Sequence, residues 1–172
     1  MTGPQGSGKT TQARLLAEYL KVPLIDSGDM LRDLAKEDTE ESRVVKEALG
    51  KGGMAPNEIT GKIVSSRVKR KDCGSGFVMD GYPRNLDQLD IFDPLFDRVF
   101  YLEIGDVAVK ERLKIRGRAD DTTELISKRL ELYHQLTEPV LEYYQNLGIL
   151  ERIDGVGVME EVQSEIRERL NG

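Results

Sequence analysis

The stretch GPQGSGKT, Gly3 to Thr10, fits the pattern G-x-x-x-x-G-K-[ST], in which a glycine-rich turn runs into a helix. The residues that follow carry Leu15, Leu16, Tyr19 and Leu20 at helical spacing, so a helix opens where the turn ends. Its free N–H groups and positive dipole end point into the turn, which makes an anion site. Gly3, Gly6 and Gly8 let the backbone bend around phosphate oxygens. Lys9 reaches the β- and γ-phosphates of a nucleotide, and the Thr10 hydroxyl helps to hold Mg²⁺. A loop running into a helix opens the chain, and the rest can be read against that beginning.

The 172 residues suit one domain with a substantial core. Hydrophobic residues make up 38% and charged residues 33%, which describes a soluble globular chain. No apolar run approaches the ~20 residues of a membrane span, and the glycine-rich start does not read as a leader. The net charge of −6 argues against nucleic acid as a main partner, because that binding usually needs a basic face. Cys73 is the single cysteine, so neither an intramolecular disulfide nor a four-cysteine zinc site can form. A reducing, cytoplasmic setting is expected. His134, the only histidine, lies in a helical stretch and reads as structural.

Short apolar runs alternate with helical patterns. Strands are expected at Pro23–Asp26, Phe77–Asp80, Arg98–Leu102 and Ile149–Ile153. Helices are expected from an N-cap at Ser27 through Leu34, over Thr39–Gly50 and Pro56–Lys71, and from a cap at Asp106 through Leu113. A long helical region from about Thr123 to Leu147, with a break near Pro139, precedes a last helix over Met159–Leu170. This alternation implies a doubly wound parallel sheet in a three-layer α/β/α, P-loop NTPase-like domain. Ligands of such sheets sit beyond the carboxyl ends of the strands, where the loop, Asp26-Ser27 and Asp80 all fall.

Four further stretches follow the loop in order: DSGDMLR (Asp26–Arg32), DGYPRNLDQ (Asp80–Gln88), ERLKIRGRADD (Glu111–Asp121) and KRLELYHQLTEPVLEYY (Lys128–Tyr144). Together they closely resemble the adenylate kinase family of nucleoside monophosphate kinases, over nearly the whole chain. The resemblance implies reversible, Mg²⁺-dependent phosphoryl transfer from ATP to AMP, giving two ADP. Two anionic nucleotides meet end to end in such a reaction, so arginines must crowd the meeting point. By this resemblance Gly6, Ser7, Gly8, Lys9, Thr10, Thr11, Arg112, Arg116 and Gly157 bind ATP. Ser27, Arg32, Gly81, Arg84, Gln88, Arg118 and Arg129 bind AMP. Lys9, Arg84, Arg112, Arg118 and Arg129 serve the transfer itself. Thr10 and Asp80, the latter through a water, attend the Mg²⁺, with Asp29 as a possible assistant whose other reading is turn formation.

Base choice is finer. Gln88 matches the family position that hydrogen-bonds adenine, and Ser27 is a hydroxyl where cytidylate/uridylate kinases tend to have Ala. Both favour AMP over CMP or UMP. Gln88 also sits where a capping-box Gln would follow an N-cap at Asn85. A short lid is expected at Gly117–Thr123 and a monophosphate-binding arm at about residues 27–71. The turn at Val156-Gly157-Val158 offers backbone groups to the base of ATP. A UMP/CMP kinase-type enzyme and a catalytically weak nucleotide-binding protein are the alternatives, and no N-K-x-D segment supports a GTPase. A monomer acting on ATP and AMP, without membrane or nucleic-acid partners, is expected.

Only Met1 and Thr2 precede the loop, too few for a strand of ~5 residues. The resemblance places such a strand between Phe77–Asp80 and Val99–Leu102. The expectation is therefore a first strand truncated relative to the natural protein. The alternative is a token pairing by Met1-Thr2, with the sheet closed or split.

Overall fold

The computed structural model describes residues 1–117 and 121–171. Helix α1 (Lys9–Leu20) follows the loop, and β1 (Leu24–Asp26) returns to the sheet. Then come α2 (Ser27–Leu34), α3 (Glu40–Gly50) and α4 (Asn57–Val68). A 3₁₀ turn at Lys71–Cys73 leads to β2 (Val78–Asp80), α5 (Leu86–Ile91) and β3 (Val99–Glu103). Helices α6 (Asp106–Arg116) and α7 (Thr123–Leu132) follow. A π-helical turn at Tyr133–Thr137 links α7 to α8 (Glu138–Asn146), and β4 (Leu150–Asp154) and α9 (Met159–Asn171) end the chain.

All strand pairing is parallel, as the alternation predicts. β1 pairs with β2, placing Asp26 opposite Asp80, and β3 pairs with β4. The β3 residues Val99 to Leu102 are all buried, the mark of a parallel strand covered on both faces. Phe100 and Leu102 pack with Ala13, Leu16, Val162 and Ile166 of α1 and α9. Val99 and Tyr101 turn the other way, onto Val140, Leu141 and Tyr144 of α8. Alternation along one strand thus glues two helical layers to the sheet. A further cluster, Ile25, Val64, Met79 and Tyr82, seats α4 under β1 and β2.

The sheet is split. β2 and β3 do not pair with each other. Thr2 bridges part of the space: its N–H donates to Phe100 O at 2.8 Å and its carbonyl accepts from Leu102 N at 3.0 Å. The Met1 ammonium donates to Met79 O at 2.7 Å, and burial pushes its pKa down to about 6. Beyond Met1 a cavity of about 370 Å³ opens between the two half-sheets, lined by Phe77, Met79, Phe96 and Phe100. Met1 and Thr2 thus make a token pairing, and β2 and β3 stay apart.

Two caps differ from the sequence expectation. Asp26, not Ser27, is the N-cap of α2, accepting from Asp29 N at 3.0 Å. Ser27 is instead the first helical residue and is buried. Gly105 precedes α6 without a side-chain cap, and Asp106 is the first helical residue. Its carboxylate faces the His134 ring nitrogen at 3.1 Å, a long-range partner that outcompetes the local one. Thr39 caps α3 in a reciprocal box with Ser42. The break in the long helix comes at the π-turn just before Pro139, which then sits in the first turn of α8. No helix among the described residues is long and apolar enough to cross a membrane.

Candidate active site

The loop, the carboxyl ends of β1 and β2, and the facing ends of α2 and α7 enclose a cleft of about 190 Å³. Its floor is the phosphate loop. Ser7 N donates to Pro4 O at 3.1 Å, closing a tight turn. Gly6 holds φ at 87°, and a Cβ there would lie 2.9 Å from Leu113 Cγ. The loop therefore fits against α6 only with glycine at this position. Lys9, at the start of α1, curls back so that its Nζ donates to Pro4 O at 3.3 Å. Burial lowers the Lys9 pKa, and the carboxylate of Asp80 opposes that shift.

The Thr10 hydroxyl donates to Asp80 Oδ2. Asp80 is 2% exposed, and its Oδ1 is buried with no partner among the described residues. A buried carboxylate oxygen left open is costly unless something positive or protic meets it. Among the described residues no group of three or more His, Cys, Asp or Glu side chains is placed to cage a metal directly. The donor set of one hydroxyl and one open carboxylate oxygen suits a cation that keeps most of its waters.

The cations converge on the same cleft. Lys9, Arg32, Arg84, Arg116 and Arg129 all line it. Arg84 Nε donates to Gly81 O at 3.0 Å. Enclosure lowers the Arg84 pKa, against the pull of Asp80 and Asp26. The side chain keeps solvent-accessible surface, so the shift leaves it fully cationic. Gly81, with φ of 80°, lets the chain turn here, since a Cβ would meet Ser27 Oγ at 2.9 Å. Arg32 is tied to Asp29, Nη2 to Oδ1 at 2.5 Å. Arg116 forks onto Asp121 through Nε at 2.9 Å and Nη2 at 2.6 Å, and Arg129 lies 3.9 Å from the same carboxylate. Asp121, its side chain 1% exposed, thereby holds two arginines on facing helices.

Arg112 stands apart from the cleft floor. Its Nη1 donates to Ser7 O and its Nη2 to Val156 O, each at 3.4 Å. It joins the phosphate loop to the turn that contains the exposed Gly157. Thr11 is exposed in the first turn of α1. Arg118 lies outside the described residues. Ser27 is buried under Gly81. Gln88, 2% exposed, accepts the Arg84 backbone N–H through Oε1 at 2.8 Å, while Asn85 caps its helix at 2.9 Å. Its oxygen thus fixes the Arg84 backbone rather than completing a reciprocal box with Asn85.

One site residue escaped the sequence reading. Thr137 lines the cleft and donates its hydroxyl to Arg84 O at 2.8 Å. It sits in the π-turn, and no local pattern marks a threonine there. Asp26 also lines the cleft. Burial raises its pKa, partly offset by the Asp29 N–H, with Asp80 pushing further up. The sequence reading placed it at a ligand-facing strand end without giving it a role.

This geometry can be set beside known proteins. The family model described as Adenylate kinase matches residues 1–149. An adenylate kinase of Bifidobacterium longum is 41% identical over 175 residues, covering 95% of this chain and 94% of its own. One from Mycobacteroides abscessus is 40% identical over 169 residues, covering 94% and 92%. One from Stenotrophomonas maltophilia is 37% identical over 177 residues, covering 96% and 95%. A phosphate loop set against a strand-end aspartate and a ring of arginines, matched over nearly the full length, leads to one conclusion: the chain belongs to the adenylate kinase family.

Proposed function

We propose that the protein catalyses reversible phosphoryl transfer from Mg·ATP to AMP, giving two ADP. The observation that carries this is the convergence of Lys9, Arg32, Arg84, Arg116 and Arg129 on one cleft that also holds the Asp80 carboxylate. A single nucleotide does not need so many cations, whereas two phosphate chains meeting end to end do. Lys9 and the loop N–H groups hold the β- and γ-phosphates of ATP. Arg32 and Arg84, on the β1–β2 side, hold the α-phosphate of AMP. Arg116 and Arg129, aligned by Asp121, face the transferring group from the opposite wall, and Arg118 joins them in this reading.

No general base is required. A phosphate oxygen of AMP is already an anionic nucleophile, so positioning and charge stabilisation carry the reaction. Thr10 and Asp80 would hold the hydrated Mg²⁺ that enters with ATP. Bound there, the ion would neutralise charge between the β- and γ-phosphates. Arg112 connects the loop to the Gly157 turn, whose backbone groups take the base of ATP. Arm residues 27–71 and lid residues 117–123 close over the pair and exclude water. The protein works as a cytoplasmic monomer. Lys9→Met should lower ADP formation in a coupled assay by at least ~100-fold with an unchanged circular dichroism spectrum. An unaffected rate would refute the assignment.

A CMP- or UMP-directed reading draws on one observation, the engagement of Gln88 Oε1 by a backbone N–H. Gln88 Nε2 remains as a donor for the base. Rates with AMP, CMP, UMP and GMP as acceptors decide between the two.

A further inference from the structure

Asp26 has a charge that its structural role does not require. As N-cap of α2 it accepts the Asp29 N–H, and an asparagine caps a helix equally well. The register of β1 with β2 places Asp26 directly opposite Asp80 at the carboxyl ends of both strands. Paired residues of neighbouring parallel strands point to the same side of the sheet, with backbones ~4.8 Å apart. Both side chains line the same cleft. Asp80, buried and with Oδ1 unpartnered among the described residues, faces that cleft too. Lys9 and Arg84 already answer part of the charge of both carboxylates, yet Asp80 Oδ1 meets no hydrogen-bond donor among the described residues, so the pair leaves a place for a further cation.

We propose that Asp26 is a second anionic anchor for the divalent cation, working with Asp80 as a pair that grips the waters of nucleotide-bound Mg²⁺. This rests on the reading that the cleft binds a Mg·nucleotide. Mg²⁺ sheds its waters reluctantly and is commonly held through one or two carboxylates plus substrate phosphates, which is the chemistry a strand-end pair offers. The arrangement also makes the cleft hostile to a nucleotide without its metal, because Asp26 adds a negative charge where phosphates must lie.

The test is Asp26→Asn in the full chain, which keeps the helix cap and removes the charge. Mn²⁺ serves as the probe, with free Mn²⁺ followed by electron paramagnetic resonance in the presence of ADP. Loss of an outer-shell partner weakens metal affinity by roughly tenfold or more, and that loss is the expected result. In EDTA, ADP affinity measured by calorimetry should stay equal or increase. Unchanged Mn²⁺ affinity in the variant, with the wild type binding normally, overturns the role of Asp26 alone. An equal loss of ADP affinity in EDTA also overturns it, since Asp26 would then be ordering the arginines. Failure of the wild type to bind Mn·ADP overturns both this inference and the reading beneath it.

Discussion

The hydroxyl of Thr10 donates to the carboxylate of Asp80 across 70 residues of sequence, fastening the first turn of α1 to the end of β2. The bond joins the glycine-rich-loop side of the cleft to its β1–β2 side. It also leaves one Asp80 oxygen open while fixing the other. Thr10→Ala should therefore cost ~1–3 kcal/mol, the usual penalty for orphaning a buried polar group, and should depress turnover as well. Thr10→Ser, which restores the hydroxyl, should recover most of both. Denaturant unfolding and a coupled ADP assay on the two variants check this.

Gly6→Ala should be more damaging than its size suggests. The residue must hold φ at 87° and its Cβ must fit 2.9 Å from Leu113 Cγ. Left-handed strain and overpacking together should lower stability by roughly 2–4 kcal/mol. The loop would also move away from α6, with loss of nucleotide binding. Thermal melting and ATP titration read the two effects. A companion change, Leu113→Ala, should relieve the contact without relieving the strain, so rescue should be partial.

Gln88 serves the backbone through Oε1, and in the proposed function its Nε2 meets the base. Gln88→Asn is one methylene too short to do both. It should lower kcat/KM for AMP by about tenfold or more, and for CMP by less, because a site built around one base loses most when its polar partner is withdrawn. Equal losses for AMP and CMP would restrict Gln88 to holding the Arg84 backbone.

His134 bridges two elements, with Nδ1 at 2.7 Å from Glu138 and Nε2 at 3.1 Å from Asp106. The hydrogen bond to Glu138 raises its pKa above 6.5, with burial working the other way and Asp106 adding to the rise. A group whose folded pKa is raised stabilises the fold fully below the unfolded value. That stabilisation is lost as pH rises through the folded value. The side chain is 43% exposed, so solvent screening keeps the contribution below ~1 kcal/mol. His134→Gln should melt lower than the wild type near pH ~6, and the difference should vanish at alkaline pH. A gap in melting temperature that is constant with pH would remove the ionic role.

Much of this site is written in local patterns. The loop, Asp80 and the order of the arginine-bearing segments are readable because each depends on neighbours a few residues away. Parallel pairing followed from the alternation of elements. What was not legible depends on distant partners. Asp106 looked like a cap because aspartates often are, yet His134, 28 residues on, holds its carboxylate. Ser27 and Asp26 are both good caps, and only the backbone path from β1 into α2 decides between them. Asp121 gathers Arg116 and Arg129, and Thr137 secures Arg84, through contacts that form only when α6, α7 and the π-turn pack together. Counting the residues ahead of the loop left open whether the sheet would close or split, and it did not place Met1 on β2 and Thr2 on β3.

The π-turn at Tyr133–Thr137 changes the phase of a long rod. Each residue of an α-helix advances the rod by ~100°, and a π-turn inserts one residue beyond the α repeat. Arg129 and Leu132, ahead of the insertion, address the cleft, while Val140, Leu141 and Tyr144 beyond it address the sheet. A perfectly regular helix over the same span could aim only one of these sets correctly. Shortening the turn by one residue would swing α8 by about a quarter turn, carrying Tyr144 off the sheet or Arg129 away from the cleft. The irregularity is thus a coupling between two clients of one helix. Length at this point should be far less tolerant of change than residue identity.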